Sequence, residues 1–187
     1  LAVAVLMSLV LGCGGGRKGA GSDGGAPIQQ VTAFGCFAAS GDGWERLENG
    51  QPASIIATPA LCGGQLISDN VNAFSPEVPP TTITFTRDFV VSDTILQNGI
   101  FSLSYRADDA AAVTVNGQSV ASCTPPSGNI GACSETCQSA TIARSVLVGG
   151  GQVNHLKIVL TNLLSVDAGA GNFGWTSLAY AICATAS

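Results

Sequence analysis

Residues 105–120, YRADDAAAVTVNGQSV, constrain this chain more than any other stretch. Val113 and Val115 alternate with Thr114, the two-residue period of a half-buried β-strand. Asn116-Gly117 follows at once, and Asn-Gly is the strongest short hairpin signal because both central positions of a type I′ turn need positive φ. Val120 begins the return strand. Upstream, Phe101, Leu103 and Tyr105 share one face of a preceding strand, and Asp108 and Asp109 stand where that strand gives way to the hairpin.

The same period recurs along the chain. Over residues 81–93, Ile83, Phe85, Phe89 and Val91 point one way with Arg87 interrupting their face, while Thr82, Thr84, Thr86 and Asp88 point the other. Asn98-Gly99 reads as a turn into the strand ending at Tyr105. Residues 140–148 predict another strand, residues 154–162 one with Leu156, Ile158 and Leu160 inward, and residues 175–183 a closing strand. Nearer the N-terminus, residues 31–37 predict a strand carrying Cys36, and Gly41-Asp42-Gly43-Trp44 a turn that presents an aromatic. Residues 54–61 fit a short strand or a helical turn equally. No 3.6-residue pattern exceeds two turns. Short strands at this spacing predict an all-β protein, an antiparallel β-sandwich or jelly roll.

Charge narrows the partners. Only 10% of residues are charged and the net charge is −5, with no basic cluster, so nucleic acid is excluded as a partner. Residues 1–12 open with eleven apolar or small residues, too short a run for a spanning helix, and match the apolar segment of a secretory signal. Val10-Leu11-Gly12-Cys13 resembles the lipobox of bacterial lipoproteins, which implies lipidation of Cys13. Residues 13–27 then form the lipidated cysteine and a glycine-rich flexible tether, and residues 28–187 the folded domain. The expected address is exported and lipid-anchored in a bacterial cell envelope. Gly14 in place of an acidic residue favours the outer membrane.

Six cysteines remain: Cys36, Cys62, Cys123, Cys133, Cys137 and Cys183. An even set in an exported domain predicts three disulfides, with about fifteen connectivities open. Residues 122–139 form a polar loop too long to hold itself without cross-links, so Cys123 is expected to bond Cys133 or Cys137, leaving the other to reach the sandwich. A zinc site is disfavoured, because Cys133-x₃-Cys137 has no second pair and the one histidine, His155, is distant.

The run A-D-D-x-A-x-V-x-V-N-G within residues 105–117, followed by G-x-x-N-x-L-x-I within residues 151–162, resembles the galactose-binding-domain-like jelly rolls. These occur as carbohydrate-binding modules and as sugar-binding domains of glycoside hydrolases. The resemblance implies that the first and last strands lie close together, making Cys36 and Cys183 neighbours and sending the spare loop cysteine to Cys62. It also implies a structural calcium at Asp108 and Asp109, with Asp167 and Asn172 as donors from another loop. The alternative for the two aspartates is a solvated strand corner.

Trp44, Tyr105, Trp175 and Tyr180 are the aromatic candidates for stacking on a sugar ring, against the commoner fate of core packing. Catalysis has little to draw on. His155 reads as a surface strand residue, and no motif selects a carboxylate pair. The expected function is therefore a non-catalytic, membrane-tethered domain that binds glycan or another envelope ligand. The alternative is a structural or adhesive envelope protein without a small ligand.

Overall fold

The computed structural model describes residues 28–68, 82–126, 132–161 and 177–187. The signal segment, Cys13 and the tether, and Trp175, Asp167 and Asn172, lie outside the described residues. Among the described residues twelve strands run in chain order: β1 (Ile28–Val31), β2 (Gly35–Ala39), β3 (Arg46–Leu47), β4 (Ser54–Leu61), β5 (Gly64–Ser68), β6 (Thr82–Val91), β7 (Gly99–Asp108), β8 (Ala110–Val115), β9 (Gln118–Cys123), β10 (Gln138–Ile142), β11 (Val153–Thr161) and β12 (Ser177–Ala186). They form two sheets. The first has the order β1-β6-β11-β8-β9, with β3 also on β6; the second has β10-β7-β12-β5-β4, with β2 also on β12. The β1–β6 pair is parallel and the other pairs are antiparallel.

The core lies between the sheets and follows from the alternation. β7 buries Phe101, Leu103, Tyr105 and Ala107 and turns Ile100 and Ser102 outward; β11 buries Leu156, Ile158 and Leu160. The inner face of β6 is Ile83, Phe85, Arg87, Phe89 and Val91, all buried, so the arginine is indeed held inside. Phe37 of β2 packs on Phe89 with ring centroids 5.5 Å apart. Each fully buried large apolar side chain contributes roughly 1.5–3 kcal/mol, so faces like these drive the sandwich together.

The Asn-Gly hairpin forms as its residues dictate, with Asn116 at φ 51° and Gly117 at φ 76° between β8 and β9. Its asparagine also joins distant chain. Asn116 Nδ2 donates to Asn154 Oδ1 (2.9 Å) and to the Val146 carbonyl (2.8 Å), and its Oδ1 accepts from the His155 amide (2.9 Å). Asn154 is fully buried, and its Nδ2 donates back to the Val148 carbonyl (2.9 Å). The two asparagines of the quoted pattern are thus partners that dock the hairpin tip on the connection before β11.

Residues 54–61 resolve as strand β4. Asn98-Gly99 is not a free turn: a short helix, α1 (Asp93–Asn98), precedes it and runs straight into β7. Ser92 starts that helix, its Oγ accepting from the Ile95 amide at 3.4 Å. The strand expected over 140–148 starts earlier and ends at Ile142, where Arg144–Val146 forms a 3₁₀ turn.

Three disulfides staple the sandwich: Cys36–Cys183, Cys62–Cys137 and Cys123–Cys133. The first joins β2 to β12, as the resemblance implied. Cys123 takes Cys133 within its own loop, and Cys137 carries that loop across to Cys62. Such bonds belong to an oxidising compartment, extracellular or periplasmic. Among the described residues no helix is long and apolar enough to cross a membrane.

Candidate functional site

The turn over residues 41–44 is built on a buried cation. Arg87 has no exposed side-chain surface, and its Nη2 donates to Asp42 Oδ2 at 2.6 Å while Nη1 donates to Asp42 Oδ1 at 2.8 Å. Nη1 also donates to Glu45 Oε1 (2.9 Å), and the same oxygen accepts from the Tyr180 hydroxyl (2.8 Å). Nη2 reaches the Gln29 side-chain oxygen and the Phe37 carbonyl (3.2 Å). One guanidinium of the first sheet thereby grips β1, β2 and the 41–45 turn, and through Glu45 meets Tyr180 of the second sheet.

The groups settle their protons accordingly. Burial pushes Glu45 up, and the neighbouring Asp42 pushes it further, against the pull of Arg87 and Tyr180. Burial works to lower Arg87, but the hydrogen bonds and attraction of Asp42, joined by Glu45, outweigh it, and the guanidinium holds its proton more tightly than usual. Tyr180, fully enclosed, stays a neutral phenol and donates, its ionisation pushed far up by burial first and by Glu45 second. Both carboxylates reach the Arg87 guanidinium, but the Asp42 side chain keeps 32% of its surface in water and that of Glu45 only 2%.

Two glycines set the path of the turn. Gly41 (φ +85°) and Gly43 (φ +89°) occupy left-handed backbone, and a Cβ on Gly41 would come within 2.5 Å of Gln65 Oε1. Asp42 Oδ1 also accepts from the Trp44 amide at 3.2 Å. Glu45 is buried against Arg87 and Leu47 packs against the core, while Arg46, on the opposite parity of β3, faces out over the first sheet. Trp44 is half-buried. Arg46 folds beside it, Nη1 donating to the carbonyls of Gly43 (3.1 Å) and Glu45 (2.8 Å).

Register extends this outer face. Arg46 lies opposite Thr86, Thr86 opposite Lys157, and Lys157 opposite Thr114, in one row across β3, β6, β11 and β8. In the neighbouring row His155 pairs with Asp88, Nδ1 to Oδ1 at 2.7 Å, and stays 65% exposed. His155 is the surface strand residue expected. Among the described residues no hydroxyl bonds its Nε2, the contact a serine nucleophile would make.

Of the sequence candidates, Trp44 is presented at the surface. Tyr105 and Tyr180 are not: they are 3% and 1% exposed, Tyr105 packed in the core because its strand parity matches Phe101 and Leu103, and Tyr180 enclosed against Glu45, so neither offers a face to a ligand. Trp175 lies outside the described residues. Asp108 and Asp109 sit together where β7 passes to β8. Asp109 is buried; Asp108 is partly so, and its carboxyl is pushed up to about 7 by burial first and then by its hydrogen bond and repulsion with Asp109, with Arg106 pulling the other way. Calcium takes six to eight oxygens and favours ionised carboxylates. Among the described residues no third acidic, histidine or cysteine side chain completes a metal group, so this pair does not by itself make a calcium cage. Asp42, Glu45, Gln29 and Tyr180 were not singled out from sequence as a cluster. The available signal was Arg87 on an otherwise apolar strand face, since a buried cation must have partners.

No family model matches the chain, and no curated protein matches it. Solved structures do. An FMN-binding beta-glucuronidase from Facaelibacterium prausnitzii L2-6 is 17% identical over 74% of this chain and 20% of its own, with TM-score 0.46. A beta-glucuronidase from Ruminococcus gnavus is 17% identical over 56% of this chain and 20% of its own, with TM-score 0.40. A beta-glucosidase from Kluyveromyces marxianus, in complex with glucose, is 15% identical over 61% and 12%, with TM-score 0.41. The chain spans a fifth or less of each, and the reactions in those names are those proteins' own.

Proposed function

We propose that this is a glycan-binding β-sandwich domain that acts by binding rather than by catalysis, held at the bacterial envelope by a lipid on Cys13. The observation that carries it is Trp44, half-buried on a turn that Arg87 clamps from beneath. A ring held still before the ligand arrives loses little freedom on binding, and preorganisation of that kind raises affinity. Around it stand hydroxyls and charged groups that can hydrogen-bond a saccharide, the usual mixture of an apolar platform with a few placed polar groups. Lipid attachment keeps the domain on the membrane because several acyl chains, at about 0.8 kcal/mol per buried CH₂, hold stably where one does not. The outer membrane is the favoured address.

Tryptophan emission in a Trp175→Phe background, titrated with a broad panel of polysaccharides, tests the binding. Trp44→Ala is expected to weaken it by roughly 2 kcal/mol, about thirtyfold, the scale of an aromatic anchor. Silence across the panel would end this reading. For the anchor, Cys13→Ser is expected to move the protein from the detergent phase to water.

The competing reading is a structural or adhesive envelope protein. It draws on four exposed large apolar residues, Ile28, Phe34, Ile55 and Ile100, each 41–51% exposed. Sedimentation decides: self-association without glycan binding would favour it.

A further inference from the structure

We infer that the glycan bound at the outer face of the first sheet is anionic, bearing carboxylate or sulfate groups, and that Lys157 and Arg46 receive those groups on either side of Thr86. This rests on the glycan-binding reading of Trp44.

The positions come from register. Arg46 of β3 and Lys157 of β11 are both opposite Thr86 of β6, so their Cα atoms stand two strand spacings apart, about 10 Å, with a hydroxyl between them. Lys157 is exposed, and among the described residues it makes no ion pair. Arg46 likewise makes none. Its Nη1 is committed to the turn carbonyls of Gly43 and Glu45, which fixes the planar head next to Trp44 and leaves Nη2 and Nε to a ligand. A guanidinium fixed in this way loses less freedom when it takes an oxyanion than a loose one does. His155 holds Asp88 at 2.7 Å, so the acid nearest this row is already engaged.

The setting makes the grouping informative. The whole chain carries a net charge of −5 and only seven Lys and Arg. Arg87 is spent inside, and Arg144 donates to the Gly99 carbonyl on another surface. Two cations without an ion pair among the described residues, flanking the one tryptophan of those residues, complement a negative ligand, while the acidic remainder repels polyanions elsewhere. Glu48, exposed in the turn after β3, is the charge that works against the ligand.

The test uses the full chain in detergent micelles and paired polymers that differ only in charge: polygalacturonate against its methyl ester, and dextran sulfate against dextran. The expected result is binding of at least one anionic member about tenfold or more tighter than its neutral twin. Lys157→Gln and Arg46→Gln should each weaken the anionic member severalfold and narrow its advantage over the neutral twin. Arg144→Gln, off this face, should change nothing. Equal affinity within both pairs, abolished by Trp44→Ala, would overturn the charge assignment and leave glycan binding standing. Equal losses from Lys157→Gln and Arg144→Gln would also overturn it, since that is general attraction without a site. If all four polymers go unbound, the assignment falls, and the broad panel alone then decides whether Trp44 binds glycan at all.

Discussion

Two pairs of carboxylates are drawn into this sandwich, and they keep the peace by different means. Asp42 and Glu45 converge on Arg87, whose guanidinium lies 2.6–2.9 Å from both. Asp108 and Asp109 converge on each other, and Arg106 only partly offsets their repulsion. The first pair is balanced by a fixed cation, the second by a proton that Asp108 holds up to about 7. Removing charges from water is costly unless they are paired, and where no cation is built in, the group neutralises itself instead. The contrast separates a site balanced by a built-in cation from one balanced by a bound proton. It is the first that carries Trp44.

The largest effect should come from taking the cation away. Arg87→Met leaves Asp42 and Glu45 facing each other and the Gln29 side-chain oxygen without its donor. The expected loss is about 3–5 kcal/mol in urea unfolding, the usual result of breaking a buried ion pair from one side. A loss under about 1 kcal/mol would mean that the turn does not lean on Arg87. In whatever fraction remains folded, Trp44 emission should shift to the red as its turn loosens.

At the second pair the handle is pH. Asp108 binds a proton more tightly in the folded protein than in the unfolded chain, whose aspartates titrate near ~4. Between about 4 and 7 the unfolded chain releases that proton first, so stability falls as pH rises through the window and the full cost stands above it. Asp108→Asn mimics the protonated form. It should stabilise the protein at pH 8 by on the order of 1 kcal/mol, held to that size because the carboxyl keeps part of its surface in water, and should flatten this part of the pH dependence. Thermal unfolding from pH 4 to 8 measures both, and an unchanged slope in the variant would assign the titration elsewhere.

The two pairs also differ in how far the sequence disclosed them. Asp108 and Asp109 are adjacent, so a reader of the chain meets them together. Arg87 was visible as a charge on an apolar strand face, but Asp42, Glu45 and Gln29 stand 45, 42 and 58 positions away, and Tyr180 is 135 from Glu45. Strand periodicity says which way a residue points and nothing about which loop folds over it. For the same reason the hairpin at Asn116-Gly117 was legible, being set by local φ, while the Asn116–Asn154 bond was not. The inward faces of β6, β7 and β11 followed from alternation; helix α1 did not, since six residues with one buried side chain leave no period to detect. Tyr105 shows the same limit from the other side: its parity already matched the core residues of β7, and that parity decided against a ligand role.

The smallest expected effect sharpens the comparison inside the first pair. Glu45 and Asp42 both touch Arg87, yet Glu45 is the one whose pKa is raised, by burial first and then by Asp42, against the pull of Arg87 and Tyr180. If the ionic partner of Arg87 is Asp42, then Glu45 serves mainly as the oxygen that accepts from both Nη1 and the Tyr180 hydroxyl. A glutamine oxygen can accept both. Glu45→Gln should therefore change stability by no more than about 1 kcal/mol, the net scale of one hydrogen bond, at pH 7. Asp42→Asn should cost clearly more, because it strips the negative charge from a guanidinium with no exposed surface. Urea unfolding of the two variants side by side gives the ranking. The reverse order would place the ion pair on Glu45 and make Asp42 the accessory, which would also predict that the 41–44 turn holds its shape without its aspartate.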